Sequence, residues 1–130
     1  MRFEHMALNV PEPAAMAAWY VEHCEMTIAM SQPDAPYTHF LADRVGQVCL
    51  EVYANPKSPC LDLAATAHLT LHIALQVADA DTEKARLLAA GCTHVETVDL
   101  PDGTILHMLR DPFGLCLQLC QRARPYSLPG

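Results

Sequence analysis

His72-Ile73-Ala74-Leu75-Gln76-Val77 repeats, with two changes, the earlier stretch His5-Met6-Ala7-Leu8-Asn9-Val10. Met is exchanged for Ile and Asn for Gln, at an offset of 67 residues (72 − 5). Cys49-Leu50-Glu51-Val52 recurs as Cys116-Leu117-Gln118-Leu119 at the same offset (116 − 49). Self-similarity at a fixed period marks one supersecondary unit used twice. Each copy opens on a strand carrying a His and closes on a strand carrying Glu or Gln.

Between these markers the two copies read alike. Phe3 to Val10 alternates and stops at Pro11, as a strand does. Pro13 suits the first turn of a helix. Ala15, Met16, Trp19, Tyr20 and His23 continue at helical spacing, with Trp19 and Tyr20 as core. Met26 to Met30, Tyr37 to Ala42 and Gln47 to Tyr53 complete the copy as strands, the last two joined at Asp43-Arg44-Val45-Gly46. The second copy repeats the order. Leu69 to Val77 is a strand, Asp79 or Asp81 caps a helix through Ala90, and Gly91 ends it. Thr93 to Val98, Thr104 to Arg110 and Leu115 to Cys120 are strands, the last pair turning at Asp111-Pro112-Phe113-Gly114. The expected organisation is a first module over residues 1–54, a connector over 55–68 and a second module over 69–121, with 122–130 as a tail. The class is α+β, two tandem β-α-β-β-β modules forming a curved sheet around a pocket.

The chain has 130 residues, is 52% hydrophobic and carries a net charge of −7. That is enough apolar matter for a real core. The acidic balance argues against nucleic acid and anionic membranes as partners. No apolar run reaches membrane-spanning length. The start of the chain reads as strand rather than signal peptide, so the six cysteines are expected reduced and the location cytoplasmic. Cys116 and Cys120, about 13 Å apart along one strand, are too distant for a disulfide.

Strand alternation separates two faces. Met6, Leu8, Val10, Ile73, Leu75 and Val77 face the helices, as do Leu50, Val52, Leu117 and Leu119. The other face carries His5, Ala7, Asn9, His72, Ala74 and Gln76, with Cys49, Glu51, Tyr53, Cys116, Gln118 and Cys120. Small and polar side chains make a poor core but suit a concave sheet that holds a ligand. Pairing Asp111 with Gly114 sets His107 opposite Gln118, hence on that same face. The offset between copies changes from 68 at the turns (111 − 43) to 67 at Cys49. One extra residue in the first copy is read as a β-bulge that sets His39 opposite Glu51.

At these residues the chain resembles the vicinal oxygen chelate superfamily, the glyoxalase, bleomycin-resistance and extradiol-dioxygenase group. The similarity runs from Phe3 to Gln121. It rests on the doubled module, the His-x-x-x-x-Val opening strands, Asp-Pro-Phe-Gly before the last strand, and Glu or Gln in the closing strands. Trp19-Tyr20 resembles the aromatic pair of the family's first helix, whereas the Leu-Gly-Met that usually follows is degraded here to Cys24-Glu25-Met26. The resemblance implies a metal pocket with ligands on the first and last strand of each module: His5, Glu51, His72 and Gln118. Such an N/O set suits divalent Zn, Ni, Co, Mn or Fe. Gln118 departs from the glyoxalase I pattern, in which two ligands are usually carboxylates. The single carboxylate also lies in the first module, where the dioxygenase pattern has it in the second.

The resemblance implies a divalent-metal-dependent enzyme, of isomerase, lyase or dioxygenase type, acting on a small oxygen-chelating substrate. Glu51 would be ligand and proton acceptor, with His39 or His107 as auxiliary catalytic groups. The alternative is a metal-free module that sequesters a small molecule, as in the bleomycin-resistance branch. Short members commonly dimerise, so a homodimer is expected, with His5 and Glu51 of one chain facing His72 and Gln118 of the other; pairing of the two modules within one chain is the lesser alternative.

Overall fold

The computed structural model describes residues 1–126; residues 127–130 of the expected tail, and the side chain of Cys49, lie outside the described part. The chain divides into two compact units, Met1–Leu61 and Asp62–Gly130. The expected connector is therefore shared, its first half running with one unit and its second with the other. Among the described residues no helix is long and apolar enough to cross a membrane.

The first unit contains β1 (Met6–Asn9), α1 (Pro13–His23), β2 (Thr27–Ser31), β3 (His39–Ala42) and β4 (Val48–Tyr53). The second contains β5 (Ile73–Gln76), α2 (Ala80–Ala89), β6 (Thr93–Asp99), β7 (Ile105–Arg110) and β8 (Cys116–Gln121). Each forms one four-stranded sheet, ordered β1-β4-β3-β2 and β5-β8-β7-β6. Opening and closing strands run parallel in both, Met6 beside Leu50 and Ile73 beside Leu117. The doubled β-α-β-β-β module is therefore present. Both opening strands are shorter than expected: residues 68–70 form a turn, with Thr70 and Leu71 donating to the Ala67 carbonyl. His5 and His72 stand one residue before their strands.

Local sequence accounts for the helices. Pro13 occupies the first turn of α1, and Asp79 caps α2 by accepting from the Thr82 N–H at 3.0 Å. Met16, Ala17 and Tyr20 of α1 are buried with Leu8, Leu41, Leu50 and Val52 of its sheet. Trp19, half-buried, meets Tyr20 edge-on at 5.1 Å. In the second unit Leu87 of α2 is buried, as are Leu109, Leu117 and Leu119. For Leu8, Leu50, Val52, Leu117 and Leu119 this is the face that strand alternation assigns to the helices.

The hairpins differ from expectation, with consequences for the site. Asp111 pairs with Leu115, not Gly114: the Asp111 N–H donates to the Leu115 carbonyl at 2.8 Å, and the Gly114 N–H to the Asp111 carbonyl at 3.1 Å. Gly114 has φ +97 and Asp111 Oδ1 accepts from the Phe113 and Leu115 N–H groups. This is a three-residue loop, a type I turn followed by a left-handed residue. Asp43 to Gln47 is built the same way, with Gly46 at φ +87. A slip of one residue moves every side chain to the other face. His107 accordingly lies opposite Leu119, and Met108 opposite Gln118. The bulge falls at Cys49, where the repeat offset changes, because the register shifts between Leu41–Leu50 and Ala42–Val48. With the loop longer by one, His39 lies opposite Val52 and Phe40 opposite Glu51.

Candidate functional site

The open face of the first unit carries Ala7, Glu51, Phe40 and Met30 in one row across its four strands. His5, just before β1, joins this row: its Nε2 lies 3.0 Å from Glu51 Oε2. Its Nδ1 meets the Glu4 carboxylate, and the Phe40 ring stands edge-on to the imidazole at 5.1 Å. Ionised carboxylates only accept, so making both contacts at once calls for a proton on each ring nitrogen of His5. The hydrogen bond to Glu4, with the negative charges of Glu4 and Glu51, raises its pKa above the ordinary 6.5. Asn9, further along β1, secures the first half of the connector. Its Oδ1 accepts from the Asn55 N–H at 2.7 Å, and its Nδ2 donates to the carbonyls of Asn55 and Ser58 at 3.0 and 2.8 Å.

The corresponding row of the second unit is Ala74, Gln118, Met108 and Glu96. Gln118 Oε1 accepts from the Cys120 thiol at 3.1 Å. His72 is exposed, and its Nδ1 lies 2.8 Å from the His68 carbonyl. A carbonyl only accepts, so Nδ1 carries the proton and a neutral His72 presents Nε2 as a bare nitrogen. Cys116 and Cys120 share this side of the sheet by alternation. Both are buried, and burial pushes both thiols up.

The two auxiliary histidines do not reach these rows. His39 shares the helix side with Leu41 and Val52, its Nδ1–H donating to the Tyr37 carbonyl at 2.7 Å. His107 is 2% exposed and bridges α2 to β6: Nε2 to Asp81 Oδ1 at 2.7 Å, and Nδ1 to Thr97 Oγ1 at 2.8 Å. Thr97 Oγ1 in turn meets His94 Nε2 at 2.8 Å. The expectation that His39 and His107 open on the ligand-holding face is corrected by the hairpin register. Asp79, not Asp81, caps the helix, and Asp81, exposed at the surface, reaches the buried His107 from there. The row positions that sequence reasoning gave to His39 and His107 belong instead to Phe40 and Met108, with Met30 and Glu96 beyond them. The glycine closing each Asp-x-x-Gly turn carried that signal, since a left-handed residue implies the three-residue loop.

Of the four expected ligands, His5 and Glu51 lie in the first unit, and in the second His72 stands just before β5 and Gln118 lies within the adjoining β8. Among the described residues no three His, Cys, Asp or Glu side chains cluster closely enough to hold a metal. The donor chemistry nonetheless fits a divalent ion. Imidazole nitrogens, a carboxylate and an amide oxygen are the donor types such an ion takes, and His5 Nε2 becomes a donor once its proton is given up.

Three solved structures give the scale of the resemblance. TnmS3, an antibiotic binding protein from Streptomyces sp. CB03234, is 20% identical with TM-score 0.70, over 93% of this chain and 95% of that one. TioX from Micromonospora sp. ML1 is 22% identical with TM-score 0.66, over 93% and 98%. Lactoylglutathione lyase from Agrobacterium tumefaciens is 18% identical with TM-score 0.66, over 94% of each. At these identities the likeness is one of fold. No curated protein matches the sequence significantly. The family model described as a glyoxalase-like domain matches residues 5–120. With that match over most of its length and the doubled module of the vicinal oxygen chelate fold, the chain belongs to the glyoxalase-like family.

Proposed function

We propose that the protein is a divalent-metal-dependent enzyme of this superfamily, acting on a small molecule that offers two neighbouring oxygens. The observation that carries the reading is the His5–Glu51 couple at 3.0 Å on an open sheet face, with His72 and Gln118 at the repeat-equivalent positions. His5 Nε2, Glu51 Oε2, His72 Nε2 and Gln118 Oε1 would hold the ion. A divalent ion so held supplies Lewis-acid polarisation of a substrate oxygen. Glu51 is the one carboxylate in the ligand set, and its side chain would take the proton the substrate gives up. Phe40 and Met30 offer apolar contact in the same row, which orients a substrate and excludes water beside Glu51. His39 and His107, on the helix sides, are left out of the chemistry.

A metal-free binding module is the second reading. One observation favours it: both ring nitrogens of His5 are already engaged, by Glu4 and by Glu51. That the neighbour TnmS3 is an antibiotic binding protein supports a binding use of the fold. Metal analysis separates the two. Protein purified without chelator should carry about one divalent ion per chain, and Glu51→Gln and His72→Ala should lose most of it. Wild-type protein that takes up none of Zn, Ni, Co, Mn or Fe at micromolar concentration belongs to the second reading.

A further inference from the structure

The second half of the connector carries no strand, yet both side chains and close packing fix it. Asp62 Oδ1 accepts from the Ala65 N–H at 3.1 Å, and the Thr66 hydroxyl donates to the Asp62 carbonyl at 2.7 Å. Arg110 on β7 donates from Nη1 to the carbonyls of Leu63 at 2.8 Å, Thr66 at 3.2 Å and Gly114 at 2.7 Å. Gly114 passes so close that a Cβ there would meet the Ala64 nitrogen at 2.7 Å. The last fastening is His68, whose Nε2 lies 2.7 Å from Glu96 Oε2 on β6. The carbonyl of this same His68 receives the Nδ1 proton of His72.

A continuous chain thus leads from a carboxylate on the far edge strand to the imidazole that opens β5. The first unit has no equivalent. Met30 occupies the place of Glu96 in its row, and His5 is flanked by carboxylates on both nitrogens. The two histidines are therefore prepared differently. His72 holds an Nδ1 proton against the His68 carbonyl, whereas both nitrogens of His5 face carboxylates.

We propose that Glu96 and His68 are positioning residues for His72: Glu96 fixes the His68 side chain, and so places the carbonyl that holds His72 in its Nδ1–H form. The proposal rests on the reading of His72 as a ligand, where a fixed tautomer raises affinity. Without the anchor the segment gains freedom at its last turn, and the imidazole samples both tautomers.

The test begins on metal-free, 15N-labelled protein, where imidazole spectra report the tautomer directly. Wild type should show His72 as the Nδ1–H form. Glu96→Ala and His68→Ala should give a mixture. Glu96→Gln should restore the single form, because its amide oxygen still accepts from His68 Nε2. Both side chains are partly exposed, 48% for Glu96 and 23% for His68, so the variants should fold. Zn affinity, read by competition with a chromophoric chelator, should fall about 10–100-fold in Glu96→Ala and be largely recovered in Glu96→Gln. An unchanged His72 tautomer in Glu96→Ala overturns the proposal. A tautomer that responds in protein binding no Zn upholds the positioning role and removes the metal reading instead.

Discussion

At the scale of single residues, the consequential contrast is between charged His5 and the buried thiols. The raised pKa of His5 means its proton is held more firmly folded than unfolded. The stability it contributes is full below the unfolded value near 6.5 and fades as pH rises through the higher folded value. An NMR titration should give a His5 midpoint above 6.5, and Glu4→Gln, removing the largest cause, should bring it down. A midpoint unmoved by Glu4→Gln would contradict the contact. Metal uptake must displace the His5 proton, so apparent affinity should weaken as pH falls through that midpoint. Cys92 is pushed up to about 12 by burial and then by the charge of Asp111, while burial also raises Cys116 and Cys120. Cys60 is exposed. A thiol reagent at pH 8 should therefore modify Cys60 in the native protein and reach Cys92, Cys116 and Cys120 only after denaturation. Native labelling at Cys92 would show that the core opens.

At the scale of elements, the two Asp-x-x-Gly hairpins share a backbone but not surroundings. Gly46 and Gly114 both have positive φ, near +87 and +97. An added Cβ at Gly46 meets nothing within 4 Å, whereas at Gly114 it strikes the Ala64 backbone at 2.7 Å. Gly46→Ala should cost about 1–2 kcal/mol from conformation alone. Gly114→Ala adds a backbone clash and should cost roughly 3 kcal/mol or more in urea unfolding. Equal losses would mean that residues 62–67 yield freely. These turns also mark how far sequence reading reached. Hydrophobic alternation assigned β1, β4, β5 and β8 to their correct faces, because in these strands the larger apolar residues alternate strictly with small or polar ones. It also placed the bulge at Cys49 through a change in repeat offset. For β3 and β7 the alternation carries less information: His39 and His107 are polar residues on an apolar side. His107 is tolerated there because Asp81 and Thr97 satisfy both ring nitrogens. Polarity suggested the ligand face, and the turn length assumed for the hairpin agreed, so one error supported the other.

At the scale of the whole molecule, the repeat divides the proposed donor set evenly. One unit supplies His5 and Glu51, the other His72 and Gln118, and two donors alone make a weak site for a divalent ion. We infer a homodimer in which donors of one chain are completed by those of its partner; each chain then contributes to two equivalent sites. Light scattering at micromolar concentration should give twice the 14.3 kDa chain mass. Complementation then tests how donors are shared. A His5→Ala chain and a His72→Ala chain each bind little metal alone. If donors come from different chains, the mixed dimer has one site lacking both histidines and one site retaining both. Subunit exchange should then restore about one ion per mixed dimer, half the wild-type content. If each chain completes its own donor set, both sites of the mixed dimer stay damaged and mixing restores nothing. Exchange itself is monitored by tagging one chain, so a flat metal reading with tagged heterodimer present rules out sharing.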